Sequence, residues 1–247
     1  CIRDRPQIAP FARDLRYFTI EPCFSADGQK LFFASNHPDS LGKEHNSDIW
    51  FVERLDGTWG QRQNLGTVIN TDAPEFFPSV TNDGTLYFTR DDNITGISYI
   101  YRSRFIDGNY SEPELLPEQI NAGRSRFNAW ISPDESFIII PIFGMQDSYG
   151  ATDYYVSFHN KEDQWSEPIN LGNKINTKSR WEYSASISPD GKYLFFMSSN
   201  VDTSLVTNHD IITMNDLKHL ANSPENGNPD IYWIEASFIQ KLRPDGF

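Results

Sequence analysis

Four stretches of the chain share one pattern of apolar and polar positions. Each begins with a short apolar segment, continues through a turn built on aspartate, and ends in a run of aromatic and aliphatic residues. The copies start at Phe24, Ser79, Trp130 and Ser186, and they read FSADGQKLFFASN, SVTNDGTLYFTRD, WISPDESFIIIPI and SISPDGKYLFFMS. Short alternating runs bounded by turn residues are typical of β-strands. A self-similar period of this length indicates repeated supersecondary units.

Each repeat holds four strand-like segments, which we call the inner, second, third and outer strands. The turn between the inner and second strands contains one of four aspartates, Asp27, Asp83, Asp134 and Asp190. Asp-Gly at a hairpin turn requires positive φ, which glycine adopts at little cost. We therefore expect positive φ at Gly28, Gly84 and Gly191. The third copy has Glu135 instead, and we expect a turn that tolerates a non-glycine residue there.

Four-stranded antiparallel units repeated in this way are the blades of a β-propeller. The sequence therefore predicts an all-β fold, a four-bladed propeller forming a single domain over residues 1–247. A fifth, irregular blade within residues 200–247 is the alternative.

The termini suggest how such a propeller closes. The last copy has no outer strand, whereas residues 3–11 resemble an outer strand with no blade before it, with Pro6 in phase with Pro113 and Pro168. Because closure removes exposed strand edges, we expect residues 3–11 to complete the last blade beside the strand at 230–236.

The repeat resembles a known family. The segment 165–196, which begins WSEPINLGNKINT and ends SISPDGKYLFF, is similar to the TolB-like (WD40-like) β-propeller repeat of bacterial envelope and secreted proteins. Residues 63–88 match it nearly as well, and the resemblance covers about residues 3–236. It implies the propeller fold and a periplasmic, outer-membrane-anchored or secreted location. The family includes periplasmic scaffolds, carbohydrate-associated proteins and propellers attached to peptidases or lyases.

The amino-acid composition limits the classes of partner that the protein is expected to bind. The formal net charge of −13 argues against nucleic acid and anionic membranes, because both require basic surfaces. No apolar run reaches the length of a membrane-spanning helix. Two cysteines are too few for a disulfide scaffold. Cys1 is the residue that lipoprotein maturation leaves, although Ile2 and Arg3 are not the small polar residues expected after a lipidated cysteine.

One end of each blade is predicted to carry the binding site. The inner-to-second and third-to-outer turns are short and share one end. The second-to-third loops share the other end and are long and varied, at 36–47, 91–97, 144–152 and 200–229. Variable loops on a rigid scaffold are where binding usually occurs. The last of these loops contains an insertion, 201–229, in which Thr213–Ala221 is predicted to form a short helix that could cap the channel.

Candidate ligand-binding residues follow from repeat equivalence. Eight residues before each turn aspartate, where the chain enters the inner strand, the four copies have Thr19, Glu75, Arg126 and Glu182. The charged members could form a ligand clamp or an ionic cluster that joins the blades. Neighbouring guanidinium and aromatic groups of the type that stacks on sugars or peptides complete the candidate set: Arg124, Arg180 and Trp181. Trp181 could instead pack between blades.

Other recurring polar residues are predicted to serve the blades. The third strands begin with Asp48, Asp153 and Asp230, which we expect to bond loop amides, and Asn70, Asn121 and Asn176 receive the same interpretation.

Two function classes remain open. No catalytic motif or metal-ligand spacing is present in the sequence, so we expect no catalytic residue, metal or cofactor. The favoured function is a non-catalytic binding or scaffold propeller that engages a protein, peptide or glycan at the channel face. The alternative is a carbohydrate-active hydrolase or lyase that uses channel carboxylates, for which Glu75 and Glu182 are the only repeat-placed pair.

Overall fold

The fold is a four-bladed β-propeller, as the repeat predicted. The computed structural model describes residues 7–38, 42, 46–178, 181–201 and 213–247. Nearly all of its regular structure is antiparallel strand. The chain forms two compact units, one of Cys1–Leu116 with Pro133–Glu135 and one of Pro117–Ser132 with Ser136–Phe247. Blades 1 and 2 belong to the first unit and blades 3 and 4 to the second. The single-domain organisation stays a prediction.

The first unit contains the inner, second, third and outer strands of two blades. Among its described residues, blade 1 is built from β1 (Thr19–Phe24), β2 (Lys30–Ser35), β3 (Asp48–Leu55), β4 (Thr58–Trp59) and β5 (Gln63–Asn64). Blade 2 is built from β6 (Glu75–Val80), β7 (Leu86–Asp91), β8 (Ser98–Ser103) and, after a small hairpin of β9 (Phe105–Ile106) and β10 (Asn109–Tyr110), β11 (Glu114–Leu115). The outer strands β5 and β11 are only two residues long.

The second unit repeats this plan with two departures. Blade 3 is built from β12 (Ser125–Arg126), β13 (Trp130–Ile131), β14 (Phe137–Phe143), β15 (Thr152–Phe158) and β16 (Ile169–Asn170), so its inner strand is split in two. The described part of blade 4 contains β17 (Glu182–Ile187), β18 (Tyr193–Ser198) and β19 (Asp230–Glu235).

The predicted hairpin turns are confirmed. Gly28, Gly84 and Gly191 have φ of 67°, 90° and 73°, and Glu135 takes the same left-handed conformation at 61°. Asp27 fixes its turn from within, because its Oδ1 accepts hydrogen bonds from Ser25 Oγ at 2.6 Å and from the Gln29 amide at 2.9 Å. The same side-chain bond recurs between Ser188 and Asp190.

Every inner strand is interrupted at one equivalent position, which the sequence did not predict. Six residues before the turn aspartates, four non-glycine residues have positive φ: Glu21, Phe77, Asn128 and Ser184. The strand register shifts there in blades 1, 2 and 4, which marks a β-bulge. These bulges also link neighbouring blades within each unit. Glu21 Oε2 accepts from the Phe77 amide at 2.8 Å, and Asn128 Nδ2 donates to Ser184 Oγ at 3.0 Å.

Apolar side chains from facing blades form the cores. In the first unit Phe32 and Ile49 of blade 1 pack with Leu86 and Phe88 of blade 2. The core of the second unit joins blades 3 and 4 and is covered by a 3-10 helix at Ala236–Leu242, whose Ile239 is fully buried.

The N-terminal segment differs from the predicted strand at 3–11. Residues 3–6 lie outside the described residues, residues 7–9 have no strand structure, and Pro10–Ala12 form a 3-10 helix. Pro10 has no N–H to donate to a sheet, but its fixed φ suits the first position of a helix. Phe11 then stacks on Phe33 with a centroid separation of 5.2 Å. The strand assignment for residues 7–11 was therefore wrong, because this segment covers a face of blade 1 through an aromatic contact.

The predicted helix in the insertion is confirmed, at Met214–Asn222. The Thr213 hydroxyl accepts from the Asp216 amide at 3.2 Å, while the Asp216 carboxylate accepts from the Thr213 amide at 2.8 Å. This reciprocal pair is a capping arrangement. Cys1 and residues 202–212 lie outside the described residues, so the lipidation and channel-capping hypotheses stay predictions. No helix in the described ranges has the length and hydropathy needed to cross a bilayer.

Two turn glycines provide a test of the hairpin geometry. A Cβ at Gly191 would meet nothing within 4 Å, whereas one at Gly84 would lie 3.2 Å from the Phe105 ring. Gly191→Ala should therefore cost only the left-handed conformation, about 1 kcal/mol. Gly84→Ala should lower the free energy of unfolding by more, because the ring must also move. Urea unfolding of the two variants measures the difference, and an equal or larger loss for Gly191→Ala would contradict this account.

Candidate functional site

The three charged candidates of the repeat are buried at the start of the inner strands. Glu75 begins β6, Arg126 ends β12 and Glu182 begins β17. Their exposed fractions are 0%, 3% and 0%. A buried charge is costly unless it is paired or fully hydrogen-bonded. The partners of each side chain therefore decide what it can do.

Glu75 is bound within the first unit from two directions. Its carboxylate accepts from the Thr71 amide at 3.0 Å and from the Thr71 hydroxyl at 2.6 Å. Arg90, its register partner on β7, donates Nε at 2.8 Å and also donates Nη2 to the Ile69 carbonyl. Burial raises the pKa of Glu75, while the bonds from Thr71 and Arg90 oppose that rise. The carboxylate thus fastens the crossing segment, by which we mean the residues between the outer strand of one blade and the inner strand of the next (65–74 here), to the inner strand of blade 2.

Glu182 repeats this arrangement without the arginine. Thr177 donates its amide at 2.7 Å and its hydroxyl at 2.6 Å, and Ser198 donates its hydroxyl at 3.1 Å. Ser198 occupies the register position that Arg90 has in blade 2. Burial raises the pKa of Glu182 to about 7, and the nearby Asp153 charge adds to the rise. The charge of Glu182 is therefore sensitive to pH near neutrality.

Arg126 places a positive charge and hydrogen-bond donors at the position where the other two blades have a glutamate. Its guanidinium donates Nε to Asn121 Oδ1 at 3.1 Å and Nη1 to the Ala122 carbonyl at 3.3 Å. Arg126 thus donates hydrogen bonds to its crossing segment, whereas Glu75 and Glu182 accept hydrogen bonds from theirs. Each of the three charged candidates makes at least one side-chain bond to the segment that leads into its own strand.

A buried asparagine before each threonine extends the network to the preceding blade. Asn70 Oδ1 accepts from the Ile49 amide at 2.8 Å, and its Nδ2 donates to the Ile49 carbonyl at 2.9 Å. Its Nδ2 also donates to Asn64 Oδ1, and Asn64 donates in turn to Asp48. In the second unit an equivalent set makes the same bonds: Asp153, Tyr154, Asn170 and Asn176. We call each set, together with its threonine and glutamate, a polar bridge.

The structural interpretation of the recurring aspartates and asparagines is confirmed for Asp153, Asp230, Asn70 and Asn176. Asp153 accepts from the amides of Tyr149 and Gly150, and Asp230 accepts from the Glu225 amide. These are the loop-amide bonds that recurrence across the copies predicted.

The remaining candidates lie outside the polar bridges. Arg124 is exposed, and its side chain lies against Gly144. Trp181 is 42% exposed and exchanges hydrogen bonds with Ser199. Arg180 lies outside the described residues. Contact of any of the six candidates with a ligand stays a prediction.

Sequence reasoning missed the partners that define these positions. Thr71 and Thr177 bind the glutamates, and Arg90 neutralises one of them. The signal for the threonines was present, since the repeated Ile-Asn-Thr places a hydroxyl four or five residues before each glutamate. The signal for Arg90 was not, because it depends on strand register. Within the described ranges, His, Cys, Asp and Glu form no group of three suited to a metal ion.

One comparison with a solved structure supports the fold. No protein-family model and no curated protein matches the chain. Among solved structures, TolB from Acinetobacter baumannii superposes with a TM-score of 0.52 at 15% identity, over 90% of this chain and 42% of TolB. An alpha-L-arabinanase of Penicillium chrysogenum, complexed with arabinobiose, has a TM-score of 0.49 at 12% identity over 90% of this chain and 58% of its own. This chain thus spans less than half the length of the TolB structure, and the likeness concerns the propeller fold.

The raised pKa of Glu182 predicts a pH-dependent stability. Its folded pKa of about 7 exceeds the ordinary value of 4.5, so its contribution is fully present below about pH 4.5 and is lost as pH rises through 7. Glu182→Gln keeps the shape and an acceptor oxygen but cannot ionise. Relative to the wild type, this variant should gain stability as pH rises from 4.5 to 8, by up to about 3 kcal/mol.

Urea unfolding across that pH range measures the gain. The exposed Glu162→Gln variant is the control and should parallel the wild type. If the difference in unfolding free energy between Glu182→Gln and the wild type did not change with pH, the pKa of buried Glu182 would be the same as in the unfolded chain, and the prediction would be wrong.

Proposed function

We propose that the protein is a TolB-like, non-catalytic binding or scaffold propeller of the bacterial cell envelope or exterior. It would engage a protein, peptide or glycan at the end of the blades that carries the long loops. The repeat resemblance and the fold shared with TolB support this proposal. A periplasmic, outer-membrane-anchored or secreted location belongs to the same proposal.

The burial of Glu75 and Glu182 is the observation that carries it. Glycoside hydrolysis needs two carboxyl groups that flank the scissile bond, one of them next to a water or the sugar itself. Both glutamates are inaccessible to solvent, and both are bound by threonine within their own unit. Exposing either one to a substrate would break three hydrogen bonds, two from threonine and one from Arg90 or Ser198. The hydrolase alternative, which was based on this pair, is therefore the weaker one.

Exposed groups at the same end are better placed to contact a ligand. Trp181 is adjacent to Glu182, and Arg124 precedes Arg126 by two residues, so both project from chain segments that the buried residues hold in place. An indole and a guanidinium are surfaces on which sugar rings and peptide groups stack. The net charge of −13 favours neutral or basic ligands over nucleic acid.

Binding assayed together with cleavage tests the proposal. The protein is applied to arrays of oligosaccharides and of peptides, and the soluble oligosaccharides are then analysed for new reducing ends. We expect saturable binding without cleavage, reduced at least fivefold by Trp181→Ala. Trp233→Ala, which removes a 65% exposed indole from β19, is the matched control and should bind normally.

Two results would contradict the proposal. Release of reducing ends that disappears in Glu75→Gln or Glu182→Gln would establish the hydrolase alternative. If the protein bound to neither array, the claim that the isolated chain binds a peptide or glycan would be wrong.

A further inference from the structure

The first unit contains two adjoining cavities at the other end of blades 1 and 2, where the hairpin turns lie. Their volumes are about 350 Å³ and 250 Å³. Four residues line both, namely Lys30, Phe32, Phe105 and Tyr110. Together the cavities form one groove, which runs from the turn glycine Gly84 to the outer strand at Gln63. Its size falls within the range of small-ligand sites.

Aromatic rings form the walls of this groove. Phe105 and Tyr110 face each other across the β9–β10 hairpin, with ring centroids 5.0 Å apart, and Phe105 remains 37% exposed. Phe32 and Phe51 lie on the blade 1 side at 6.0 Å from one another. Blade 1 has the equivalent hairpin, in which Arg54 pairs with Trp59, whereas blade 2 has Phe105 opposite Tyr110. The Phe105 wall therefore belongs to blade 2 and not to the repeat. A half-exposed ring beside a cavity offers an apolar face to a ligand.

Polar groups without internal partners are distributed along the same groove. Within the described part of the chain, no hydrogen bond involves the Tyr110 hydroxyl or the side-chain amides of Gln63 and Asn82. Burial raises the pKa of Tyr110, so its hydroxyl is a protonated donor at neutral pH. A partly buried hydroxyl of this kind gains from a ligand oxygen that replaces water.

The charges in the groove favour a neutral ligand. Lys30 Nζ lies 3.2 Å from a Glu53 carboxylate oxygen and is held over the rings of Phe51 and Phe105, at 5.1 Å and 5.8 Å. Asp27 and Asp83 also line the groove. The Lys30 ammonium group is thus already paired, and an acidic ligand would meet the carboxylates of Asp27 and Asp83. A ligand with hydroxyl groups and no charge avoids that repulsion.

Strand geometry disfavours an extended peptide. Peptides that add to a sheet need a run of unpaired backbone groups along an exposed edge. The strands beside this groove, β5, β9 and β10, are each two residues long. They cannot provide such a run, whereas ring faces, amides and a hydroxyl suit sugars, which present alternating C–H faces and hydroxyl groups.

We propose that this groove binds a short neutral oligosaccharide, with one sugar ring in each cavity and an apolar ring face against Phe105. The inference goes beyond the proposed function, because the groove lies at the hairpin-turn end and depends neither on Trp181 nor on the long-loop end. Phe105 supplies the stacking face, Tyr110 donates a hydrogen bond, and Gln63 and Asn82 orient hydroxyl groups at the two ends.

Isothermal titration calorimetry with defined trisaccharides tests it. The probes are cellotriose, xylotriose, mannotriose and maltotriose, with trigalacturonic acid as the acidic counterpart. We expect at least one neutral probe to bind, and the acidic one to bind at least tenfold more weakly. Phe105→Ala should weaken binding at least fivefold. Tyr110→Phe, which keeps the ring and removes the hydroxyl, should weaken it two- to tenfold.

The matched control is Phe195→Ala, which removes a ring of 38% exposure from blade 4 and should bind as the wild type does. Thermal unfolding of each variant establishes that the fold is retained. Sugar binding that survives Phe105→Ala and Tyr110→Phe but is lost in Trp181→Ala would overturn the groove and leave the proposed function intact. Failure of all neutral probes at millimolar concentration, or preference for the acidic one, would also overturn it. The proposal would also be overturned if no sugar bound and if binding to the peptide array were lost in Phe105→Ala.

Discussion

The buried asparagine of the polar bridge is the constraint on which the arrangement of successive blades depends. After each outer strand the chain must leave one sheet and enter the next, and the backbone groups of the third strand lose their neighbour at that point. Asn70 supplies both a donor and an acceptor to Ile49, and Asn176 does the same for Tyr154. An unsatisfied buried group costs about 1–3 kcal/mol, so two such groups per blade are a large fraction of a domain's stability.

The threonine that follows the asparagine binds the first residue of the next blade. Thr71 and Thr177 bind the glutamates that begin β6 and β17, so the end of one blade and the beginning of the next are fixed by consecutive residues. Eight residues before the turn aspartate, the charged position is found in three forms: a glutamate bound by arginine, a glutamate bound by serine, and an arginine that donates. What is maintained is a bond to the crossing segment, and the sign of the charge is free to vary. Charged residues at equivalent positions of a repeat therefore reflect architecture before they reflect ligand binding.

The sequence predicted those parts of the fold that depend on local patterns. Alternating runs located the long strands, and Asp-Gly pairs located the turns, because both signals act within a few residues. The left-handed bulges were not predictable, since Glu21, Phe77, Asn128 and Ser184 share no side-chain property and take their conformation from pairing with the neighbouring strand. The burial of Glu75 was equally hidden, because its partner Arg90 is fifteen residues away and meets it only through strand register. Pro10 was assigned to a strand by phase alone, and its missing N–H was the local signal that opposed this.

The two ends of a blade offer different kinds of binding surface. At one end long loops vary in length between copies, so the surface there differs from blade to blade. At the other end the groove of the first unit is lined by strands and by turns that aspartate side chains fix, as Asp27 and Asp83 do through bonds to Ser25 and Thr81. A site of this kind is already ordered before the ligand arrives, so weak stacking and single hydrogen bonds suffice for selective binding. Phe105 of the β9–β10 hairpin stands where blade 1 has Arg54, so it gives this ordered end a ring that the repeat does not impose. Specificity can arise there without disturbing the polar bridges.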